Sequence, residues 1–473
     1  MFEGSRGPVR RALLPAAPSS SGRADRSVRI TRSRAVREKR IALGPQTGDE
    51  FPDMRIPPFP LLVLAVSTCL AAPGDIQQWR GPNRDGIFPS TGLLKQWPQE
   101  GPALAWKMAG LGKGMASVSV AGGKIFTTGG RKGGQFVVAL DAATQKELWA
   151  AKLCDKGGEP RCTPTVDGDF VYALSSEGDL VCVGASDGRE VWRKSFTADF
   201  GNAPKPTWQF SESPFVDGDK LIVVPGSHEA VVAALNKKTG AILWKTAATL
   251  EGKGHDGAGY TGVVLSNAAG IRQYVTLVGK GAIGVDAQTG KLLWQYNRVA
   301  NGTAVIPTPL VWDDFVFVSS GYGTGAALLK IVKGGEGIAG SPVSAKEEYF
   351  LAASTFQNHH GGMVRIGEYI YAGKGHNNGF PICLEWKTGK VVWAQERGPG
   401  KESAAVIAAD GNLYFRYQDG IMALIEASPA GYSEKGAFKL ATVNGPSWPH
   451  PAIHGGKLYV RDQDILMCYT LRK

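Results

Sequence analysis

One pattern of apolar and polar positions recurs along the chain: an apolar run, a polar turn that usually contains Gly, and a second apolar run that ends in Trp. Short apolar runs on either side of a Gly turn are typical of β-hairpins. Self-similar units at nearly regular spacing predict a repeat architecture. Five copies are recognisable: Val137–Trp149, Leu180–Trp192, Val231–Trp244, Ala282–Trp294 and Pro381–Trp393.

Between these copies lies a second repeat, in which two apolar strands flank a tight turn rich in Asp and Gly. Each unit therefore has four strands, A to D, with Trp on strand D, and eight hairpins predict eight units. The hairpins are Ser117–Thr128, Thr163–Leu174, Ser213–Val224, Thr261–Val278, Thr308–Ser319, Gly362–Ala372, Ala404–Arg416 and Pro451–Val460.

The spacing of the Trp residues identifies the repeat as a propeller blade. Successive separations of 43, 52 and 50 residues fit a four-stranded blade. The gap of 99 residues between Trp294 and Trp393 predicts one further unit with a degenerate pattern around Ala326–Phe350. Another unit without Trp is predicted over Ile421–Phe438.

The two ends of the repeat region complement each other. The last hairpin is followed by one more apolar strand, Ile465–Tyr469, whereas Pro102–Trp106 has the character of a strand D without its blade. Pairing these two segments would leave neither edge open. The sequence therefore predicts an all-β fold, an eight-bladed β-propeller of four-stranded antiparallel blades over residues 102–473, closed by its N- and C-terminal strands.

Most residues of the repeat are expected to serve packing. The turn Gly supplies positive φ, and Asp141 and Asp286 stabilise their turns rather than act as acids. A Trp on the outer strand can cover the neighbouring blade. We interpret the following as structural blade residues: Trp106, Trp149, Trp192, Trp244, Trp294 and Trp393.

The A-x-D-x-x-T-G-x-x-x-W type of phrase resembles the pyrroloquinoline quinone (PQQ) propeller repeat, over roughly Trp79 to the C-terminus. Quinoprotein alcohol dehydrogenases and the periplasmic propeller that helps to insert outer-membrane proteins share this repeat. For the dehydrogenases, the resemblance implies PQQ as cofactor, a calcium ion that polarises it and an Asp base. Their vicinal Cys pair is absent here, and no calcium ligand or catalytic Asp maps onto this sequence, so catalytic residues remain unknown.

The N-terminus differs from the rest. Residues 1–53 are rich in Arg, Ser and Pro and carry +5 of the net charge of +11, so we expect a disordered basic leader and no nucleic-acid partner. Residues 54–72 resemble a signal peptide, which predicts a secreted or periplasmic protein with no transmembrane segment. Met54 is then the alternative start, and Cys69 a candidate lipid anchor. Residues 73–101 form an N-terminal extension.

The cysteines permit one disulfide. Five lie beyond the signal segment, an odd number. Cys154 and Cys162 flank a short Gly-containing loop and could form a bridge in an oxidising compartment, whereas Cys182 and Cys468 are expected to be buried thiols.

The long connections predict which face carries function. In this strand order, the D-to-A and B-to-C connections share one face, and the longest segments fall there. We name it the loop-rich face. Six of the seven His residues lie in or beside these connections. Without close pairs of metal ligands, no metal site is assigned. Candidate binding residues are His255, Asp256, Asn358, His359, His360, Lys374, His376, Asn377, Trp208 and Trp448.

Two functions follow from these observations. The first is a propeller that acts as a scaffold and binds a protein or small ligand through the loop-rich face. The second is a PQQ-dependent alcohol dehydrogenase. The sequence alone leaves both open.

Overall fold

A computed structural model describes residues 75–446 and 448–473. The predicted basic leader (1–53), the signal peptide (54–72) and the candidate lipid anchor Cys69 lie outside the described residues. No helix in the described part of the chain is long and apolar enough to cross a membrane.

The described residues form eight four-stranded antiparallel sheets, the blades of a propeller. Consecutive strands pair within each blade, as tight turns between apolar runs favour. Blade 1 comprises β2 (Ser119–Ala121), β3 (Lys124–Arg131), β4 (Gly134–Asp141) and β5 (Glu147–Cys154), and blade 2 comprises β6 (Thr165–Asp167), β7 (Phe170–Leu174), β8 (Asp179–Gly184) and β9 (Glu190–Ser195). Blade 3 comprises β10 (Phe215–Asp217), β11 (Lys220–Val223), β12 (Ala233–Asn236) and β13 (Ile242–Lys245), and blade 4 comprises β14 (Val264–Ser266), β15 (Gln273–Val278), β16 (Gly281–Asp286) and β17 (Leu292–Tyr296).

The second half of the ring repeats this order. Two short helical turns interrupt the loops of the first half, α1 (Phe196–Asp199) and a 3₁₀ turn (Ala268–Gly270). Blade 5 comprises β18 (Leu310–Trp312), β19 (Phe315–Ser320), β20 (Gly325–Lys333) and β21 (Val343–Leu351), and blade 6 comprises β22 (Met363–Ile366), β23 (Tyr369–Lys374), β24 (Phe380–Glu385) and β25 (Val391–Ala394). Blade 7 comprises β26 (Ala404–Ala409), β27 (Asn412–Tyr417), β28 (Ile421–Glu426) and β29 (Glu434–Lys439), and blade 8 comprises β30 (Ala452–His454), β31 (Lys457–Asp462), β32 (Ile465–Thr470) and β1 (Leu104–Met108).

Blade 8 joins the two ends of the repeat region. Strand β1 pairs antiparallel with β32, with Trp106 opposite Cys468 and Met108 opposite Leu466. The ring is therefore closed by the predicted pair of terminal strands. The predictions of eight blades, of a degenerate blade 5 and of a degenerate blade 7 are also confirmed.

Strand D tryptophans such as Trp149 and Trp192 tie their blade to the next, whereas Trp294 donates to Gln273 within its own blade. The Trp149 ring lies against Gly188 and the Trp192 ring against Gly240, where an added Cβ would come within 2.6 and 2.7 Å of the indoles. Trp192 Nε1 also donates to the Lys237 carbonyl, at 3.0 Å, in the same turn. Each pair joins strand D of one blade to the C-to-D turn of the following blade, which is why this turn carries Gly.

Blade 5 shows why its repeat is hard to recognise. Tyr349 occupies the place of Trp on strand D, with its ring 2.8 Å from the position that a Cβ on Gly389 would take. Its hydroxyl donates to the Trp386 carbonyl at 2.6 Å. A phenol thus makes the same contact as an indole, so the packing is kept although the sequence pattern is lost.

The segment before the first blade enters the ring. At the face of the A-to-B turns, Asp75 accepts a hydrogen bond from the Gly122 amide. Ile76 then bridges to Val120 of β2, and Phe88 N donates to Ala408 O of β26 at 2.8 Å. Between these points the chain contacts strands A of several blades, which lie nearest the axis. Residues 75–90 therefore form a plug inserted from the face opposite the loop-rich one.

The cysteines are reduced in the structure. Cys162 is fully buried, and its sulfur accepts from the Leu174 amide at 3.3 Å, while Cys154 lies partly exposed with its sulfur 3.3 Å from the Lys156 carbonyl. The candidate disulfide between these two described residues is therefore not formed, because their side chains face different partners. Cys182 and Cys468 are buried thiols, as expected.

Candidate functional site

A central cavity of about 280 Å³ opens on the loop-rich face. Its walls come almost entirely from D-to-A connections, which converge on the axis because strands A lie innermost. Tyr322, from a B-to-C connection, and Trp79, from the plug, complete the lining. The lining residues are Trp79, Met115, Arg161, Trp208, Ser211, Glu212, Ser213, Tyr260, Gly262, Ala304, Ile306, Tyr322, His359, His360, Trp448, Pro449 and His450.

Aromatic rings form much of the wall. Trp208 and Tyr260 meet edge to face, with centroids 5.9 Å apart, and Tyr260 Oη accepts from the Trp208 amide at 3.2 Å. On another side the Trp448 ring lies 5.8 Å from that of His360. Such walls offer flat apolar surface with polar tips, the usual composition of a pocket for a small apolar group.

Two buried arginines of the plug hold its tip beneath this cavity. The Arg84 guanidinium donates to Gln78 Oε1 at 2.8 Å, to the Ser213 carbonyl at 2.9 Å and to the Pro214 carbonyl, so it links the plug to blade 3. Arg80 donates to the Met363 carbonyl of blade 6 at 2.6 Å. Burial lowers the pKa of both guanidinium groups to about 10, which leaves each charged at neutral pH. The cavity is therefore closed at its inner end.

Glu212 is a buried acid in the cavity wall. One carboxyl oxygen accepts from the Val224 amide at 2.6 Å, and the other, Oε2, has no hydrogen-bond partner in the described part of the chain. Burial raises the pKa of this carboxyl to about 8, although the Val224 amide and the Arg84 charge act in the opposite direction. Glu212 is consequently mostly protonated at neutral pH, so its Oε2 carries a proton without an acceptor among the described residues.

Three histidines from two loops of blade 6 lie together beside Tyr322, and two of them, His359 and His376, contact its ring. The His359 ring lies 4.5 Å from that of His360 and 4.3 Å from that of His376. His359 Nδ1 is 2.8 Å from Ser403 Oγ, and its Nε2 is 3.1 Å from Tyr322 Oη. Burial, with the nearby His376 as second cause, lowers the pKa of His359 to about 4. His359 is therefore neutral at physiological pH, and burial likewise lowers the pKa of His360 well below its ordinary value.

The hydrogen bonds of Gln418 define the tautomer of His360. Trp448 Nε1 can only donate, and it lies 2.9 Å from Gln418 Oε1, so the amide nitrogen of Gln418 faces His360 Nε2 at 3.1 Å. Because that amide nitrogen donates, His360 Nε2 must accept, and the ring proton sits on Nδ1. This Nδ1 is buried and has no partner within the described residues. It is an unpaired donor at the cavity wall.

His450 joins the cavity wall to the plug. Its Nδ1 accepts from Arg80 Nη1 at 3.1 Å, and its Nε2 donates to the His360 carbonyl at 3.1 Å. Burial, followed by the Arg80 charge, lowers the pKa of His450 to about 3. Protonation of Nδ1 would break the bond with Arg80 and place two cations side by side, so this imidazole must stay neutral.

Arg161 brings a cation to the cavity wall. Its Nη1 donates to Gln209 Oε1 at 3.2 Å and to the Glu159 carbonyl at 3.3 Å. Its Nε is buried and unpaired, and its Nη2 makes no hydrogen bond with any described residue. The Arg161 Cζ lies 6.0 Å from the Trp448 ring centroid. One edge of the guanidinium, Nε with Nη2, is thus left without a partner.

The structure gathers some of the predicted site residues and separates others. Trp208, His359, His360 and Trp448 line the cavity. His376 lies behind this wall, against the Tyr322 ring at 4.3 Å.

The remaining candidates lie elsewhere. Asn358 is buried and accepts from the Gly362 amide at 3.0 Å, which is a structural role. Asn377 Oδ1 accepts from Gln418 at 3.3 Å, outside the lining. Lys374 ends β23 and does not belong to the lining either. His255 and Asp256 border a separate pocket, where Asp256 pairs with Lys280 at 3.0 Å. The site is therefore smaller than the sequence predicts.

Sequence reasoning did not select several residues of the cavity. Glu212 appears as an isolated acid and Arg161 as one of many basic residues in a loop, so neither has a local pattern. Trp79 belongs to a Gly- and Pro-containing stretch, Trp79–Gly86, which has the composition of a loop. The sequence does contain one signal: this stretch holds two arginines and a Trp, and a solvent-exposed loop seldom needs such large side chains.

The cavity residues do not fit a calcium-bound PQQ. Calcium takes about six to eight oxygen ligands, several of them carboxylates. Among the described residues that line the cavity, Glu212 is the one carboxylate, and it is mostly protonated at neutral pH. No group of three or more His, Cys, Asp or Glu in the described part of the chain is placed to hold a metal ion. This donor set suits hydrogen bonding rather than cation binding.

The fold and the cavity together define a class: a PQQ-type propeller with a closed-ended cavity on its loop-rich face. A family model described as outer membrane protein assembly factor BamB matches residues 91–175 and 133–395, more than half of the chain. The chain belongs to this family.

Individual relatives are distant. The outer membrane protein assembly factor BamB of Shewanella oneidensis is 24% identical over 274 residues, which cover 55% of this chain and 64% of that relative. The aligned segment is thus less than two thirds of the relative's length.

Two solved structures share the fold. The quinohemoprotein alcohol dehydrogenase of Comamonas testosteroni has a TM-score of 0.58 at 12% identity, covering 85% of this chain and 81% of that one. BamB from Moraxella catarrhalis has a TM-score of 0.55 at 12% identity, covering 78% and 99%. At these identities the likeness concerns the fold alone, so function must be argued from the site.

Proposed function

We propose that this protein is an exported, non-catalytic propeller that binds a protein partner through its loop-rich face and takes part in outer-membrane protein assembly. The observation that carries the proposal is the cavity, which offers aromatic surface and hydrogen-bond donors but a single, mostly protonated carboxyl group. Such a set suits recognition rather than redox chemistry. The family match to an outer membrane assembly factor supports this role.

Export follows from the N-terminal sequence in this proposal. The signal-like residues 54–72 direct the chain to a secreted or periplasmic location. The five cysteines of the described region form no disulfide in the structure. The ring is closed by the pairing of β1 with β32, which needs no oxidising compartment.

The second candidate, a quinoprotein alcohol dehydrogenase, rests on the shared fold with quinohemoprotein enzymes. A PQQ and calcium assay separates the two. We expect that PQQ with calcium gives no dye-linked oxidation of primary or secondary alcohols, and that calcium does not strengthen any PQQ binding seen by fluorescence. The physical reason is that Glu212 alone cannot replace the several oxygen ligands of a calcium ion.

A quinoprotein dehydrogenase of known activity, assayed in parallel, controls for the dye and the cofactor. Calcium-dependent binding together with turnover would overturn the scaffold proposal and favour the dehydrogenase.

A further inference from the structure

The polar groups of the central cavity are mainly unpaired donors. Arg161 leaves its Nε and Nη2 edge without a partner and His360 leaves Nδ1–H without one; Nε and Nδ1 are buried, so Nη2 is the atom that a ligand reaches first. Both side chains lie about 6 Å from the same Trp448 ring, at 6.0 and 5.8 Å. The two donors therefore flank one aromatic wall of the cavity. Buried donors without partners are costly in a folded protein, and a bound acceptor removes that cost.

The charges around the cavity favour an anion. Arg161 lines it, and Arg84 and Arg80 lie at its closed end. Glu212, the acid of the wall, is mostly protonated at neutral pH, and the histidines His359 and His450 are neutral there. Asp85 acts on Arg80 and Glu159 on Arg161, so three arginines stand against two further acids and the balance in and beneath the cavity is positive. This balance opposes a cationic ligand such as a chain's free amino terminus.

The shape of the guanidinium edge specifies the anion further. An Arg Nε and Nη2 pair matches the two oxygens of a carboxylate in a planar, bidentate arrangement. The Arg161 edge has no partner among the described residues; a single carboxylate meets its Nη2 first and pairs with the buried Nε once the side chain turns towards the cavity. The surrounding rings of Trp208, Tyr260 and Trp448 suit an apolar, preferably aromatic, body.

The plug adds a constraint on how a ligand enters. Because the tip of the plug closes the inner end of the ring, a polypeptide cannot thread through it. A ligand must therefore reach Arg161 from the loop-rich face, as the end of a chain or a free small molecule can. The cavity volume of about 280 Å³ fits one large side chain with its carboxylate.

We propose that the central cavity binds an apolar monocarboxylate, either the C-terminal residue of a polypeptide or a free acid of the same chemistry, with Arg161 pairing to the carboxylate. The proposal rests on the proposed function in that it takes the loop-rich face as the binding face. The rings of Trp208, Tyr260 and Trp448 hold the apolar body.

Isothermal titration of the full chain tests this. The probes are the peptide Ac-Gly-Ser-Gly-Phe with a free C-terminal carboxylate, the same peptide as C-terminal amide, 3-phenylpropionate and 3-phenylpropionamide. We expect each acid to bind about 10- to 100-fold more tightly than its amide, since a charge-assisted pair contributes about 1.5–3 kcal/mol. If the peptide acid binds more tightly than phenylpropionate, the natural ligand is a chain end; equal affinities identify a free acid.

Variants locate the binding. Arg161→Gln should weaken both acids about 10- to 100-fold and leave the amides unchanged. Arg298→Gln is the matched control, because Arg298 also lies over an aromatic ring, that of Phe350, but on the rim and away from the cavity. Circular dichroism establishes that both variants fold.

Two results would overturn the inference: acids and amides that bind the wild-type chain equally, or no binding of either acid. The acid and amide comparison needs no variant, so it stands even if Arg161→Gln does not fold. If the cavity binds no carboxylate, the proposed role as a protein-binding scaffold still stands. That role is tested separately, by crosslinking a protein partner to the loop-rich face.

Discussion

Replacing Arg84 by alanine is expected to lower the free energy of unfolding by about 3–5 kcal/mol. Arg84 is 1% exposed and its guanidinium satisfies Gln78 and the carbonyls of Ser213 and Pro214. Removing it leaves the buried carbonyls of Ser213 and Pro214 without this donor. Chemical denaturation followed by tryptophan fluorescence measures the change, which should appear as a lower transition midpoint.

Arg189→Ala serves as the control for the Arg84 variant. Arg189 pairs with Asp187 in a C-to-D turn, and its side chain is 84% exposed, so its removal should change stability by less than about 0.5 kcal/mol. Equal stability of the Arg84 variant and the wild-type protein would show that the plug does not contribute to the fold.

The second large effect is acid unfolding through His450. In the unfolded chain, the pKa of this histidine is near 6.5, whereas burial and Arg80 lower it to about 3 in the folded chain. At pH values between about 3 and 6.5, the unfolded state binds more protons than the folded state at this histidine. The free energy of unfolding therefore falls as the pH drops below about 6.5. The loss attributable to His450 is about 3 kcal/mol between pH 6.5 and pH 4, at about 1.4 kcal/mol per pH unit.

The comparison of wild-type protein with His450→Gln isolates this contribution. The variant should be less stable at pH 7, since the Gln amide does not place its acceptor and donor where the two imidazole nitrogens meet Arg80 and the His360 carbonyl. Its stability should depend less on pH by about one proton between pH 6.5 and 4. Denaturation series at several pH values give the slopes. Parallel slopes for the two proteins would mean that His450 keeps an ordinary pKa in the folded state.

The sequence predicts the fold well because propeller packing is local and repeated. Trp contacts such as that of Trp192 with Gly240 join neighbouring units, and the turn Gly has a conformational reason to be there. The pattern fails only where another residue makes the same contact, as Tyr349 does in blade 5. Even there, the hairpins on either side preserve the count of eight blades.

The cavity was far less predictable. Its key contacts join residues very distant in the chain, such as Arg84 with Ser213 and Arg80 with His450, 129 and 370 positions apart. Periodicity carries no information about such pairs. Proximity can be inferred within one blade, and the rings of His359 and His376 lie together in the structure. Asp256 pairs with Lys280 beside a separate pocket, because a D-to-A loop can turn towards a neighbouring lysine instead of the axis.

Site-specific photocrosslinking from both faces of the disk tests the central claim that the loop-rich face is the binding face. A benzoylphenylalanine is placed at Thr207 or Asn377 on that face, and at Lys238 or Gln288 in the tight turns of the opposite face; all four residues are exposed. In cells that naturally make the protein, we expect discrete adducts with an outer-membrane assembly protein from Thr207 and Asn377 and none from the other two. Adducts from Lys238 and Gln288 alone, or none from any position, would contradict the account.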